Sequence, residues 1–484
     1  MPYKDLREFI SFLDSRNELK RITVPVERDL EISEITDRTI KSGGPALFFE
    51  NVKGFEVPVI TNIFGTHQRT AWALGVETTN DLTEKVRDIL GLVQTPPSSL
   101  IEKLTALKDL VGMARTQPKL VKSGPCQEVV LKGDSIDLEA LPNLKCWPMD
   151  GGRYITLPLV ISKDPESGRR NVGIYRMQVY GKDSAGMHWQ THKVGASHYR
   201  LSQEKEMNRL EVAVALGGDP TTIWSGALPI PPDMDEIAVS GLLRGKPVEM
   251  VHCKTIDLEV PANAEYILEG YVVPGELKSE GPFGDHTGYY SLEDDFPIFH
   301  VTAITHRKNP IYPATIVGRP PSEDFFMGKA VERLMLPALQ LTLPEIKDIN
   351  MPAEGVFHNL VIVSMKKEYP GHTRKVMNAL WGLGLMMLAK TIIVVDHFVD
   401  VQNLSEVAWR VTSNINPEAD VVMLEGPVDD LDHSSRIPKF GSKMGIDATA
   451  KNSDDGRNRE WPPDIIMSQE IKELVNRRWT EYGL

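Results

Sequence analysis

Hydrophobic positions along the chain change their period several times, and each change predicts a new element. Leu6, Phe9, Ile10 and Leu13 recur at helical spacing, and residues 21–26 then read as a short β-rich run. A second helix is predicted from Leu30 and is stopped by Gly43 and Gly44. Leu82, Val86, Ile89 and Leu90 predict another helix, and residues 101–113 one more, before a stretch at 118–125 punctuated by Pro and Gly. From residue 127 to about 313 the pattern turns to short β runs at 129–131, 155–161, 172–180, 210–216, 266–273 and 299–304, separated by turn residues. That spacing predicts an antiparallel barrel or sandwich-like sheet with a few helices. A long helical pattern at 327–339 follows Arg319, Pro320 and Pro321. Beyond it the order is strand 360–365, helix 372–383, strand 391–395, helix 403–414 and strand 421–424, which reads as an α/β layer. The polar tail ends in a helix predicted over 468–479.

A chain of 484 residues exceeds what one core usually supports, so several domains are expected. The pattern divides it at 1–116, 117–318, 319–345 and 346–484. The formal net charge of -13, with no run of Lys or Arg, excludes nucleic acid as a general partner and leaves any anionic ligand to be held by local charges. Three separated cysteines, with no CxxC pair, argue against a disulfide framework or a thiolate zinc site and fit a reducing cytoplasm. The opening MPYKDLREF is charged where a signal peptide needs an apolar run, and the longest apolar stretch, near 380–389, falls short of the ~20 residues that span a bilayer, so a cytoplasmic protein is expected. No GxGxxG, Walker-type or GxSxG motif supports a Rossmann site, a P-loop or a hydrolase elbow.

Residues 280–290, EGPFGDHTGYY, place Glu280 and Asp285 around Gly281, Pro282 and Gly284. Those small and rigid residues forbid a regular helix and weaken a strand, which predicts a shaped turn aiming two acids. Such a pair suits proton transfer, one acid ionised and the other protonated; solvated acids on a loop are the plainer alternative. Arg176, in NVGIYR, is the residue type that grips a carboxylate by two hydrogen bonds. Asn171, His188 and Glu236 form a mixed oxygen and nitrogen set suited to a divalent ion such as Mn²⁺. Singly, His188 also reads as a strand-end histidine bonded to backbone, and Glu236 as a first-turn helix acid. In a regular strand Asn171 and Arg176 point to opposite faces, so both serve one site only if Gly173 marks a bulge or the ligand wraps the strand end.

The strings NVGIYR, GMHWQTHK, LPIPPDMDE and EGPFGDHTGYY, with LREFISFLDSRNELKRI, GGPALFFEN, GRPP and GSKMGIDAT in the same order, resemble the UbiD-type decarboxylases. The likeness runs nearly end to end and is nearest to the 4-hydroxy-3-polyprenylbenzoate decarboxylases. It implies an α+β, multidomain fold: an N-terminal α/β region, a central split β-barrel that binds prenylated FMN, a long linker helix, and a C-terminal α/β oligomerisation domain with a terminal helix. By the same resemblance Arg176, Glu280 and Asp285 are catalytic, with Arg176 placing the carboxylate, Asp285 delivering the proton and Glu280 tuning both Arg176 and the cofactor. Asn171, His188 and Glu236 would hold Mn²⁺ against the flavin phosphate, which Lys390 would also meet. Ile174, Tyr175, Arg176, Gln190, Lys193 and Val194 would line the flavin, and backbone near Trp189 and at 225–228 would hold K⁺. Asp285, where ferulic-acid-type relatives carry Glu, favours an aromatic acid over a cinnamate.

The implied reaction is a reversible, non-oxidative decarboxylation in which the cofactor draws off the electrons as CO₂ leaves. The implied substrate is 4-hydroxy-3-polyprenylbenzoate, giving 2-polyprenylphenol in ubiquinone synthesis; a naphthoate precursor of menaquinone, a hydroxybenzoate or another aromatic acid is the alternative. The implied partners are the acid itself, a flavin prenyltransferase that supplies the cofactor, further copies in a homodimer or homohexamer, and a membrane surface if the substrate carries a polyprenyl tail. Two other classes compete: a hydrolase in which the metal set activates water, and a non-catalytic subunit of a larger carboxylase.

Overall fold

A computed structural model of the chain describes residues 3–94, 112, 114–356, 358–457 and 459–483. The helix expected over 101–113 falls almost wholly outside these residues. The architecture is mixed α/β and multidomain, as the sequence predicts, and most elements lie near their predicted places, though the run expected over 21–26 stands as the strand Leu19–Ile22.

Near the N-terminus Asp5 caps the helix Leu6–Ser15 by accepting from the Glu8 amide at 3.1 Å, and Leu6, Phe9, Ile10 and Leu13 turn inward. This helix and Glu31–Lys41 accompany a four-stranded sheet ordered Leu19–Ile22, Ala46–Phe49, Val59–Thr61 and Tyr312–Pro313. The fourth strand comes from far along the chain, so the N-terminal sheet is finished by residues that follow the central region.

The central region is a seven-stranded antiparallel sheet in the order Ser184–Gly186, Asp294–His306, Tyr266–Glu280, Leu210–Leu216, Pro158–Lys163 and Arg170–Ile174, with Val129–Lys132 paired to Asp294–His306. Leu210–Leu216 lies where the apolar run predicts it. Two expected strands are each broken: 155–161 into Tyr154–Ile155 and Pro158–Lys163, and 172–180 into Arg170–Ile174 and Met177–Gln178. Conversely, the strand expected to stop at 273 continues to Glu280. Pro274 and Gly275 sit in a register shift between Val272 and Leu277, and the bulge absorbs the residue that cannot donate to the ladder. That extension delivers Glu280 to the sheet end.

The helix Glu323–Thr342 joins two cores. Met327, Ala330, Val331 and Leu334 pack with the N-terminal cluster, whereas Leu336, Leu339 and Leu343 pack with the C-terminal one, and Pro337 lies where the allegiance changes. The C-terminal region is a five-stranded sheet ordered Ile346–Asn350, Leu360–Met365, Thr391–Asp396, Phe440–Asp447 and Val421–Pro427, parallel through its middle three strands and flanked by His372–Trp381 and Leu404–Asn414. Leu360–Met365 and Thr391–Asp396 are largely apolar runs, as strands covered by helices are. The terminal helix Gln469–Arg478 buries none of its residues. No helix among the described residues is long and apolar enough to cross a membrane.

Candidate active site

Glu280 is the last residue of the long strand Tyr266–Glu280, and Asp285 follows a sharp turn. The segment between them is more than the loop expected from Gly and Pro: Phe283 and Gly284 pair with Ser291 and Tyr290 in a two-stranded ribbon. Asp285 sits at the ribbon's mouth, its amide bonded to the Tyr289 carbonyl at 3.1 Å and its own carbonyl taking the Gly288 amide at 2.9 Å. Gly288 has φ +80°, which a side chain would strain.

Arg176 meets both acids. Its Nε donates to Glu280 Oε1 at 2.9 Å, its Nη2 to Glu280 Oε2 at 3.3 Å and to Ser291 Oγ at 3.0 Å, and its Nη1 to Asp285 Oδ2. The guanidinium carbon lies 4.5 Å from the centre of the Phe283 ring. His188 Nδ1 lies 2.9 Å from Glu280 Oε2. Arg176, Glu280, Asp285 and His188 are all buried. Burial raises both carboxyls, but His188 and Arg176 beside Glu280 overcome it and hold that acid down to about 2. For Asp285 the Arg176 charge, then the His286 hydrogen bond, again outweigh burial and keep the carboxyl well below its usual range. Both acids are therefore ionised around one cation.

The geometric difficulty of Asn171 and Arg176 resolves at the strand end. Gly173 pairs with Val160 in unbroken register, so it is no bulge. The ladder stops at Ile174, whose amide donates to the Gly226 carbonyl at 3.0 Å, and Arg176 turns away beyond it. What Gly173 provides is room, since a Cβ there would lie 2.5 Å from the Tyr175 ring.

Asn171, His188 and Glu236 are all buried. Asp235 caps the helix Glu236–Arg244, and Glu236 Oε2 accepts from the Val172 amide at 3.0 Å. Burial pushes the Glu236 carboxyl up to about 7. Among the described residues His188 Nε2 and Asn171 Nδ2 are buried with no hydrogen-bond partner, and burial lowers the His188 imidazole. A histidine whose Nδ1 is fixed on a carboxylate while Nε2 stays open is disposed as a metal-bound imidazole is. The buried carboxylate seeks positive charge, and a turned Asn171 amide would present its oxygen. These three residues fit a divalent cation.

The other expected residues are dispersed around this centre. Tyr175 OH accepts from the Gly195 amide at 3.4 Å, and Ile174 sits on the 225–228 segment through Gly226. The Trp189 indole N–H is buried without a partner among the described residues. The Gln190 carbonyl accepts from the Lys193 amide at 3.0 Å. Lys193 caps the helix Val194–Glu204, and burial lowers its ammonium although it faces Asp429 and Asp430. Lys390 bonds Asp432 at 3.0 Å and also Ser434, both on the C-terminal loop 429–434, and among the described residues none of its hydrogen bonds reaches Asn171, His188 or Glu236.

Sequence reasoning missed the residues that hold the turn. Asp150, buried at 4 % exposure, accepts from the amides of Cys146 at 3.0 Å, Trp147 at 2.8 Å and Gly284 at 2.8 Å. The Trp147 ring is wedged between Gly284 and Gly318, where a Cβ would approach it to 2.2 and 2.6 Å, and its indole N–H donates to the Val317 carbonyl at 2.8 Å. Gln178 Oε1 accepts from the Gly281 amide at 2.9 Å. Ser291 was missed as well. Only the paired glycines beside an aromatic hinted at this support.

Three family models cover the chain: the N-terminal domain of 3-octaprenyl-4-hydroxybenzoate carboxy-lyase at residues 10–89, its Rift-related domain at 119–320 and its C-terminal domain at 325–448. An uncharacterised protein of Archaeoglobus fulgidus is 49% identical over 482 residues, which span 99% of each chain. Vanillic acid decarboxylase of Sedimentibacter hydroxybenzoicus in closed form superposes with a TM-score of 0.86 at 30% identity, covering 99% of both chains. HmfF of Pelotomaculum thermopropionicum in complex with FMN gives a TM-score of 0.78 at 30% identity, covering 95% of this chain and 97% of that one. An evolved dimeric form of HmfF in complex with prenylated FMN gives 0.77 at 29%, covering 96% and 98%.

Proposed function

Since the chain belongs to the UbiD family of carboxy-lyases, we propose that it removes CO₂ from an aromatic carboxylic acid with prenylated FMN as cofactor, reversibly and without net oxidation. The observation that carries the reading is the buried run His188–Glu280–Arg176–Asp285, a cation flanked by two acids beside a ring of Phe283. Prenylated FMN, when bound, supplies the electron sink that no side chain offers. HmfF binding FMN and prenylated FMN supports it.

The chain's own residues then have distinct tasks. Arg176 grips the substrate carboxylate by loosening its hold on the acids, and the new anion shares the positive charge. That sharing, plus a second negative charge close by, raises Asp285 from its ionised state toward the carboxylic acid that can donate a proton. Glu280 stays ionised, tied to His188 and the Arg176 Nε, and keeps the guanidinium oriented. Asn171, His188 and Glu236 would hold Mn²⁺, and carbonyls near Trp189 and 225–228 would hold K⁺. Lys390 would turn from Asp432 to reach the flavin phosphate.

For substrate, we favour 4-hydroxy-3-polyprenylbenzoate, yielding 2-polyprenylphenol, which the match to the 3-octaprenyl-4-hydroxybenzoate carboxy-lyase domains supports. The likeness to vanillic acid decarboxylase supports a second reading, an untailed 4-hydroxybenzoate. The test is CO₂ release from both kinds of acid by protein produced together with a flavin prenyltransferase. Turnover of tailed substrates alone supports the first reading, turnover of short hydroxybenzoates supports the second, and no CO₂ from any aromatic acid refutes the activity.

A further inference from the structure

Asp285 needs a proton before it can give one, and its surroundings hold it ionised. The nearest group with a proton to give is the next residue. His286 contacts Asp285 Oδ1 twice, through its amide at 2.7 Å and its ring Nδ1 at 2.8 Å. An ionised carboxylate only accepts, so Nδ1 carries the hydrogen. Several elements bring acid or imidazole to this ring. From its own turn comes Asp285, and from the start of the helix Glu323–Thr342 comes Asp324. From the C-terminal region come His358, its ring centre 5.6 Å from that of His286, and Asp429, whose Oδ2 lies 3.5 Å from His358 Nε2. Behind Asp429 stands Lys193. Burial works against a charged His286 ring, yet the Asp285 hydrogen bond and the surrounding acids outweigh it and raise its pKa, while burial drives His358 the other way. Other contacts bring the loop 429–434 against the same place, with Asp430 accepting from the Thr191 amide at 3.3 Å and the His433 ring 4.3 Å from that of Tyr289.

We propose that His286 is the proton store that charges Asp285, and that the C-terminal region, through His358 and Asp429, keeps that store loaded. The inference rests on the decarboxylase reading above. When the substrate carboxylate engages Arg176, the His286 Nδ1–H bond breaks and an O–H bond forms on Asp285 Oδ1. An imidazolium and a carboxylate thereby become a neutral imidazole and a carboxylic acid. After CO₂ leaves, the Asp285 O–H bond breaks and a C–H bond forms at the carbon that lost CO₂, using the electron pair of the broken C–CO₂ bond. Neutral His286 then takes a proton from water, so each turnover consumes one solvent proton, as turning a carboxylate into CO₂ and a C–H bond requires. His286 is in these terms a positioning and proton-storing residue, since it acts on the substrate only through Asp285.

His286→Asn separates the two roles, because an amide can keep a hydrogen bond to Asp285 but cannot hold the extra proton. For the holoenzyme, kcat/KM is expected to fall as pH rises through the raised pKa of His286. The Asn variant is expected to lose that alkaline limb and ~10²-fold in turnover, the usual scale for a proton-transfer group. Parental turnover with the parental profile overturns the proposal. NMR titration of the histidine-labelled full chain, with the His286 signal assigned by its loss in His286→Asn, gives a reading independent of activity. The ring should titrate above the ordinary ~6.5 of histidine and fall toward it in Asp429→Asn. A ring that titrates at or below the ordinary value overturns the store even in an active enzyme. Inertness of the parent toward every acid would instead sink the decarboxylase reading, and the ring's titration would still decide this one.

Discussion

The two halves of the site are built on opposite terms. Around the acid-bearing turn every charged group has its partner within the protein: Arg176 on Glu280, Asp285 and Ser291, and Asp150 on three amides. Across Glu280, which His188 also touches, the Asn171, His188 and Glu236 set has two orphaned buried nitrogens and a carboxyl that burial pushes up to about 7. A saturated network is rigid before any ligand arrives, so the acids and the arginine are preorganised. The other half, among the described residues, leaves His188 Nε2 and Asn171 Nδ2 without a hydrogen-bond partner. On the proposed reading the geometry of the acids and the arginine comes from the fold while cofactor retention would depend on a metal, so substitutions on the two sides should fail in different ways.

The largest effect is expected at the saturated side. Asp285→Asn should keep the flavin and lose ~10²-fold or more in turnover; an undiminished rate would remove Asp285 from proton delivery. Arg176→Lys should fall nearly as far as Arg176→Ala, because an ammonium cannot span Glu280, Asp285 and a substrate carboxylate at once. A Lys variant near parental kcat/KM would place the carboxylate elsewhere.

On the unsatisfied side, Glu236→Ala should purify without Mn²⁺ and flavin while the turn stays intact, and full occupancy of both would refute the ligand set. The pH dependence has a definite sign. Glu236 has a folded pKa of about 7 against an ordinary 4.5, so the metal-free folded state binds more protons than the unfolded one and stability falls as pH rises from 4.5 to 7. The loss is ~3 kcal/mol at most. Metal-free protein should therefore melt higher at pH 5 than at pH 7, Glu236→Gln should flatten that difference, and Mn²⁺ should raise Tm more at pH 7 than at pH 5. Equal metal effects at both pH values would dissociate Glu236 from the cation. The smallest effect should come from Asp150→Asn, which leaves at least one amide of the turn without its acceptor at ~1–3 kcal/mol in stability, read as a lower Tm.

How far the sequence carried is clearest at particular residues. Leu210–Leu216 and Leu360–Met365 were legible because a continuous apolar run flanked by turn residues has one economical fate. Glu280 and Asp285 were legible because Gly and Pro leave few conformations, yet the ribbon between Phe283–Gly284 and Tyr290–Ser291 was not, since its pairing is a tertiary outcome. Pro274 and Gly275 read as a strand end and proved to be a bulge, because the neighbouring strand could absorb the missing donor. Asp150, Trp147, His358 and Asp429 carry no local signature; each acquires its role by approaching a turn more than sixty residues away. Asn171, His188 and Glu236 were legible by residue type and by family likeness, and what the fold adds is that all three are buried, with burial pushing the Glu236 carboxyl up.

The central claim is tested most directly by mass spectrometry of small molecules released from protein produced together with a flavin prenyltransferase, with metals quantified on the same sample. Prenylated FMN and Mn²⁺, in amounts that match the protein, is the predicted result. Metal without flavin would contradict it, leaving Asn171, His188 and Glu236 to activate water and the two acids to serve a hydrolase.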